Sequence, residues 1–163
     1  MTNKNCVQSN NTNEEDGTTM NKYDALKLEN QICFPLYACA KEVVRQYKPY
    51  LDELELTYTQ YIAMMVMWDK RSISVKELGQ HLYLDSGTLT PLLKTLEKKG
   101  YVTRNRSEED ERVLIVSITD EGMNLREKAV EVPMKVGSCI GIEPEEAKTL
   151  YRLLYKVLGS IAE

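Results

Sequence analysis

Leu82-Tyr-Leu-Asp-Ser-Gly-Thr-Leu-Thr-Pro-Leu-Leu-Lys-Thr-Leu-Glu-Lys-Lys-Gly-Tyr-Val-Thr-Arg-Asn-Arg106 is the stretch that decides the fold. It reads as a turn, then an amphipathic helix, then a strand running into a charged hairpin. Leu89, Leu92, Leu93 and Leu96 recur at helical spacing and form one apolar stripe, leaving hydroxyl and lysine side chains on the rest of the surface. Pro91 has no backbone N–H, and only the first few N–H groups of a helix lack partners, so a cap at Thr88 or Thr90 is expected. Gly100 stands where a helix is usually ended by glycine.

Charge sets this stretch apart. Ser86 to Arg106 holds five Lys/Arg and one acidic residue, a local +4 in a chain whose formal net charge is -4. A basic patch on an acidic protein points to a nucleic-acid face and not to a generally cationic surface. Ser86, Thr88, Thr90 and Lys94 on the helix, with Arg104 and Arg106 beyond it, are the candidate DNA contacts. The competing interpretation is a solvated basic face, and for Lys98 or Lys99 alone that is the better one.

Working outward, Thr57-Tyr-Thr-Gln60 and Ser74-Val-Lys-Glu77 both fit the capping-box pattern and open two earlier helices. Tyr101–Arg104 and Val113–Ile118 read as antiparallel strands joined by a charged loop, Asn105–Arg112, too long for a tight turn. That loop is a wing. Arg112 joins Arg104 and Arg106 as a phosphate or minor-groove contact, and Asp110 is placed to orient the Arg112 guanidinium. Thr119-Asp-Glu-Gly122 starts a helix expected to run to about Val132, ahead of Pro133. A last helix opens at Glu143-Pro144.

The expected fold is therefore mainly α with a small β wing. A winged helix-turn-helix occupies residues 57–118, between an N-terminal dimerisation helix at 24–56 and C-terminal dimerisation helices at 119–163. The terminal helices carry more apolar surface than the central unit can cover. A homodimer is the expected destination, and two-fold symmetry suits a pseudo-palindromic operator in double-stranded DNA. Residues 1–23 are polar and Asn/Thr-rich with no apolar core, and are expected to be a disordered tail, not a secretory signal. No apolar run approaches a membrane span, so a cytoplasmic protein is expected.

The four cysteines, Cys6, Cys33, Cys39 and Cys139, show no C-x-x-C spacing, and His81 is the one histidine. No metal site and no cofactor are expected. Cys33 and Tyr37 are four residues apart, on one face of the first helix. Tyr47 is close in helical phase but roughly 21 Å further along the axis, so it would meet only the partner's Cys33, across a dimer of crossed helices. Tyrosine hydroxyls donated to a thiolate stabilise it, and a stabilised thiolate attacks peroxides. A lone helical cysteine is more commonly a small buried hydrophobe, and the tyrosines are equally suited to a core. Cys39 lies about 120° around the helix from Cys33 and is expected to pack.

Leu28-Glu-Asn-Gln-Ile-Cys33, continuing as Phe-Pro-Leu-Tyr37, resembles the amino-terminal signature of the organic hydroperoxide-sensing repressors of the MarR family. So do Leu54–Tyr61, Val75–Gly79, Leu82–Lys94 and Asp110-Glu-Arg112, and the likeness spans about residues 25 to 162. It implies a dimeric winged-helix repressor with its reactive cysteine at Cys33 and hydrogen-bonding tyrosines at Tyr37 and Tyr47. Asp110 and Arg112 fall on the wing's reading positions. Organic hydroperoxides would be the inducers, and oxidation would release the operator. Such repressors come in two versions: one caps the oxidised sulfur with a small thiol, and the other closes an intersubunit disulfide with a second cysteine before the last helix. Cys139 stands in that second place.

Two other functions compete. One is a MarR-type repressor relieved by a small phenolic or lipophilic ligand. The other is a peroxidase using Cys33, which lacks an arginine beside the thiol and any cofactor signature; the chain is expected not to be an enzyme.

Overall fold

A computed structural model describes residues 21–161. The chain divides into two units, Met1–Ala38 and Cys39–Glu163. The expected tail and Cys6 fall largely or wholly outside the described residues.

In the first unit, two short 3₁₀ turns, Asp24–Leu26 and Leu28–Asn30, precede helix α1, Cys33–Asp52. The Asn30 side-chain amide donates to the Asp24 carbonyl at 2.8 Å, and Gln31 bonds the Ala25 carbonyl in the same way. The N-terminal helix expected within 24–56 thus becomes regular only at Cys33. Pro35 lies at its third position, where the missing N–H costs no intrahelical bond.

The second unit begins within α1 and holds the core. Leu51, Leu54 and Leu56, at and just beyond the end of α1, are buried with Met64 and Met67 of α2, Tyr58–Lys70. Both capping boxes form. The Gln60 amide donates to Thr57 Oγ1 at 3.3 Å, and the Glu77 amide donates to Ser74 Oγ at 3.1 Å to open α3, Val75–Leu82. Leu78 of α3 and all four stripe leucines of α4, Ser86–Lys98, close the centre. Each such leucine contributes about 2 kcal/mol of burial.

The wing strands are β2, Val102–Arg106, and β3, Leu114–Ile118, antiparallel with Arg104 opposite Val116. A third strand, β1, Ser72–Ser74, pairs with the other edge of β3, giving the order β1-β3-β2. Beyond the sheet come α5, Asp120–Ala129, α6, Val132–Gly137, and α7, Pro144–Ile161. α5 ends at Ala129, short of the expected Val132, and α6 is a further helix that was not expected, with Pro133 near its start opening it. Leu150, Leu154 and Val157 of α7 are exposed in the single chain. No helix of the described residues is long and apolar enough to cross a membrane.

Candidate nucleic-acid interface and thiol sites

The turn between α3 and α4 is fixed by a close approach. Tyr83 ends α3 in the left-handed region at φ 53°, and the Leu84 amide donates back to the Gly79 carbonyl at 3.0 Å. A Cβ on Gly79 would lie 2.8 Å from the Leu84 carbonyl oxygen, so the turn requires glycine there. Asp85 then caps α4 by accepting the Thr88 amide at 2.8 Å and the Thr88 hydroxyl at 3.2 Å. The backbone bond from Thr88 holds the Asp85 carboxyl below the usual carboxylate range.

The cap therefore lies at Asp85, not at Thr88 or Thr90, and Pro91 is six residues into the helix. Thr90 donates its hydroxyl to the Ser86 carbonyl at 2.7 Å, and Thr95 donates to the Pro91 carbonyl at 3.0 Å. With this start, Ser86, Thr90 and Lys94 fall at four-residue intervals and form one exposed row. Lys98, for which a solvated face was the better expectation, lies exposed one turn further along the same row. Thr88 is set apart from it, committed to the cap. A groove of about 580 Å³ beside the row is lined by Lys76, Gln80, Tyr83 and Ser86. The sequence marked none of the first three; their signal was their place on α3, for Lys76 and Gln80, and at its C-cap, for Tyr83, in the element that precedes α4.

In the wing, Arg106 donates to the Glu111 carbonyl at 3.0 Å, and the Ser107 amide donates to the Val113 carbonyl at 2.9 Å. Asp110 accepts the backbone amide of Arg112 at 2.9 Å. The expected carboxylate–guanidinium bond between them is absent among the described residues, because a two-residue separation brings the amide within reach first. Arg104 is turned onto Glu97: Nη2 and Nε donate to Oε2 at 2.6 and 3.0 Å, and the Arg104 amide donates to Oε1 at 3.1 Å. The guanidinium bond holds the Glu97 carboxyl below its ordinary range.

Cys33 is the first residue of α1, exposed, with Tyr37 exposed one turn further on in the same unit. In the turn that follows Cys33, the Phe34 amide donates to the Gln31 carbonyl at 3.2 Å, Pro35 has no N–H, and the Leu36 amide donates to the Ile32 carbonyl at 3.5 Å. Cys39, expected to pack, is exposed. In the second unit, Tyr47 joins an aromatic cluster, 5.0 Å from the Tyr58 ring and 6.0 Å from Tyr61 between centroids. Burial, then the neighbouring Tyr47, raises the pKa values of Tyr58 and Tyr61. Cys139 is exposed just past α6, its thiol donating to the Lys135 carbonyl at 3.4 Å. Among the described residues no three His, Cys, Asp or Glu side chains gather as a metal site.

A capped helix delivered by a tight turn, followed by a two-stranded wing, defines a winged helix-turn-helix protein, the class that lays a helix in the major groove. The sequence profile of the transcriptional regulator SarA/Rot family matches residues 45–129. The organic hydroperoxide resistance transcriptional regulator of Bacillus subtilis (strain 168) is 49% identical over 144 residues, covering 86% of this chain and 96% of that one. Reduced AbfR of Staphylococcus epidermidis bound to DNA superposes with a TM-score of 0.71 at 33% identity, over 87% of this chain and 99% of that one. The disulfide-formed state of AbfR matches with a TM-score of 0.58 at 33% identity, over 84% and 96%. This chain belongs to the MarR family of transcriptional regulators, in the group of the organic hydroperoxide resistance regulators.

Proposed function

We propose that this chain is a dimeric repressor that leaves its operator when an organic hydroperoxide oxidises Cys33. The observation that carries this reading is the exposed Cys33 thiol at the first residue of α1, in a winged-helix chain of this family. The Cys33 thiolate attacks the peroxide O–O bond, giving a sulfenic acid and one alcohol. The Cys139 thiol of the partner subunit then displaces water from that sulfenic acid, and a disulfide forms. Tyr37, and Tyr47 of the partner subunit, donate hydrogen bonds to the reacting sulfur. AbfR has both a reduced, DNA-bound form and a disulfide form, which supports a thiol switch of this kind.

On the operator, Ser86, Thr90 and Lys94 face the major groove, while Arg106, Asp110 and Arg112 serve the wing; Thr88 supports the helix start. The exposed apolar faces of α1 and α7 form the dimer interface. The protein consumes about one equivalent of peroxide per Cys33 and stops, as a sensor and not a peroxidase.

The test is intact mass under denaturing, non-reducing conditions after one equivalent of cumene hydroperoxide. A species of about twice the 18.7 kDa chain mass, lost in both Cys33→Ser and Cys139→Ser, is expected. A monomer carrying oxygen or a small thiol on Cys33 keeps the sensor and removes Cys139 from the switch. An unmodified monomer overturns redox sensing.

A cleft of about 490 Å³ lined by Tyr61, Met65, Trp68, Arg71 and Arg126 favours a second reading, relief by a phenolic or lipophilic ligand. That reading requires Cys33→Ser to keep full induction.

A further inference from the structure

Glu97 and Arg104 are seven residues apart and belong to different elements, the end of α4 and the middle of β2. Glu97 receives three donors from Arg104, two from the guanidinium and one from the backbone. The Arg104 side chain is only 18% exposed. β2 is an edge strand, so Glu97 also covers a backbone N–H that the sheet leaves unpaired.

The charge pattern alone would count Arg104 with Arg106 and Arg112 as a contact to DNA. Two of its donors, Nε and Nη2, are held by Glu97 Oε2, and a phosphate approaching the rest of this largely covered guanidinium would also meet the Glu97 carboxylate. We propose that Glu97 and Arg104 are positioning residues: their pairing fixes the wing against the end of the recognition helix, and Arg104 makes no phosphate contact. This inference rests on the DNA-binding reading above.

The two roles predict opposite signs for one substitution. If Arg104 serves DNA, Glu97→Ala removes a negative charge, frees the guanidinium and tightens binding. If the pair is a brace, Glu97→Ala loosens the wing and weakens binding. Counterion release separates them again, since losing a phosphate contact lowers the salt slope of log K by about 0.9.

The experiment measures affinity against salt for a duplex that the wild-type protein selects from a random-sequence pool. It uses Glu97→Ala, Arg104→Ala, the double variant, Arg104→Lys and Arg106→Ala, each verified as folded by far-UV circular dichroism at the assay temperature. Glu97→Gln, which keeps the side-chain volume and loses the charge, replaces Glu97→Ala if that variant does not fold, and Arg104→Gln replaces Arg104→Ala in the same case. The expected result is weakening of about five- to tenfold in each alanine variant of the pair and no further loss in the double variant. Their salt slopes equal wild type, while Arg106→Ala has a smaller slope. Arg104→Lys stays weakened, because lysine keeps the charge but not the fork. Tighter binding by Glu97→Ala, a reduced slope in Arg104→Ala, or full recovery in Arg104→Lys overturns the brace and leaves DNA binding standing. Failure of the wild-type protein to select any duplex overturns the DNA reading itself.

Discussion

The Asp110 carboxylate accepts the backbone amide of Arg112 at 2.9 Å and makes no hydrogen bond to its guanidinium among the described residues. Asp110 therefore shapes the wing loop, and the Arg112 side chain remains available to a DNA groove. An asparagine keeps the accepting oxygen and an alanine does not. Asp110→Asn is expected to bind operator within about twofold of wild type, whereas Asp110→Ala loses several-fold, measured by fluorescence anisotropy at fixed salt. Equal losses in both would mean that the negative charge matters and the loop bond does not.

The cluster of Tyr47, Tyr58 and Tyr61 makes stability sensitive to alkali. Burial favours the neutral phenol, so the folded pKa values of Tyr58 and Tyr61 lie above the ordinary 10.0. The contribution of these neutral phenols is complete below that value and is lost as pH rises through the folded values. Thermal midpoints should be flat from neutral pH to about 9 and fall beyond 10. Tyr58→Phe, which cannot ionise, should reduce the alkaline fall without lowering the neutral midpoint by more than a degree or two. An unchanged alkaline limb in Tyr58→Phe would count against this cause.

Gly122 is held between two elements. The Trp68 indole N–H donates to its carbonyl at 2.8 Å, and a Cβ added at Gly122 would run into the Tyr101 carbonyl oxygen and lie 2.8 Å from Ile118 Cγ1. The obstructing atom is backbone and cannot swing away, so Gly122→Ala should destabilise by about 2–3 kcal/mol in urea unfolding. Gly159→Ala, with open space around the added atom, serves as the matched control and should be neutral or better.

The features that were legible in the sequence are those with local causes. The stripe Leu89, Leu92, Leu93 and Leu96 and the two capping boxes need only spacing and neighbouring side chains, and all are present. β1 was not legible. It has three residues, and it is a strand only because Ile73 pairs with Val116, far along the chain. Pro133 and Pro91 both misled, since a proline's meaning depends on which turn it occupies: Pro133 opens α6 where it was expected to follow a helix end, and Pro91 lies six residues past a cap at Asp85, not just after Thr88 or Thr90. Arg104 was expected to be a DNA contact and its pairing with Glu97 was not foreseen, because Glu97 is brought to it only by the strand leaving α4. Cys33 and Cys139 are exposed, and so is Cys39, which shows that helical phase alone does not say which face is covered.

Ser86, Thr90, Lys94 and Lys98 form an exposed row on α4, apart from the cap made by Asp85 and Thr88. Lys94 and Lys98 are exposed, and neither takes part in an ion pair among the described residues, so each is free to displace a counterion from DNA. Lys94→Ala and Lys98→Ala should each lower the salt slope by about 0.9, with melting temperature unchanged. Thr90→Val keeps the shape but removes the hydroxyl, and should weaken specific binding more than binding to mixed-sequence DNA. Asp85→Ala should behave differently. It removes the acceptor for the Thr88 amide, so the thermal midpoint falls by a few degrees and affinity drops for specific and mixed DNA alike, at an unchanged slope. A slope change in Asp85→Ala without thermal destabilisation would show that the start of α4 is not held by this cap.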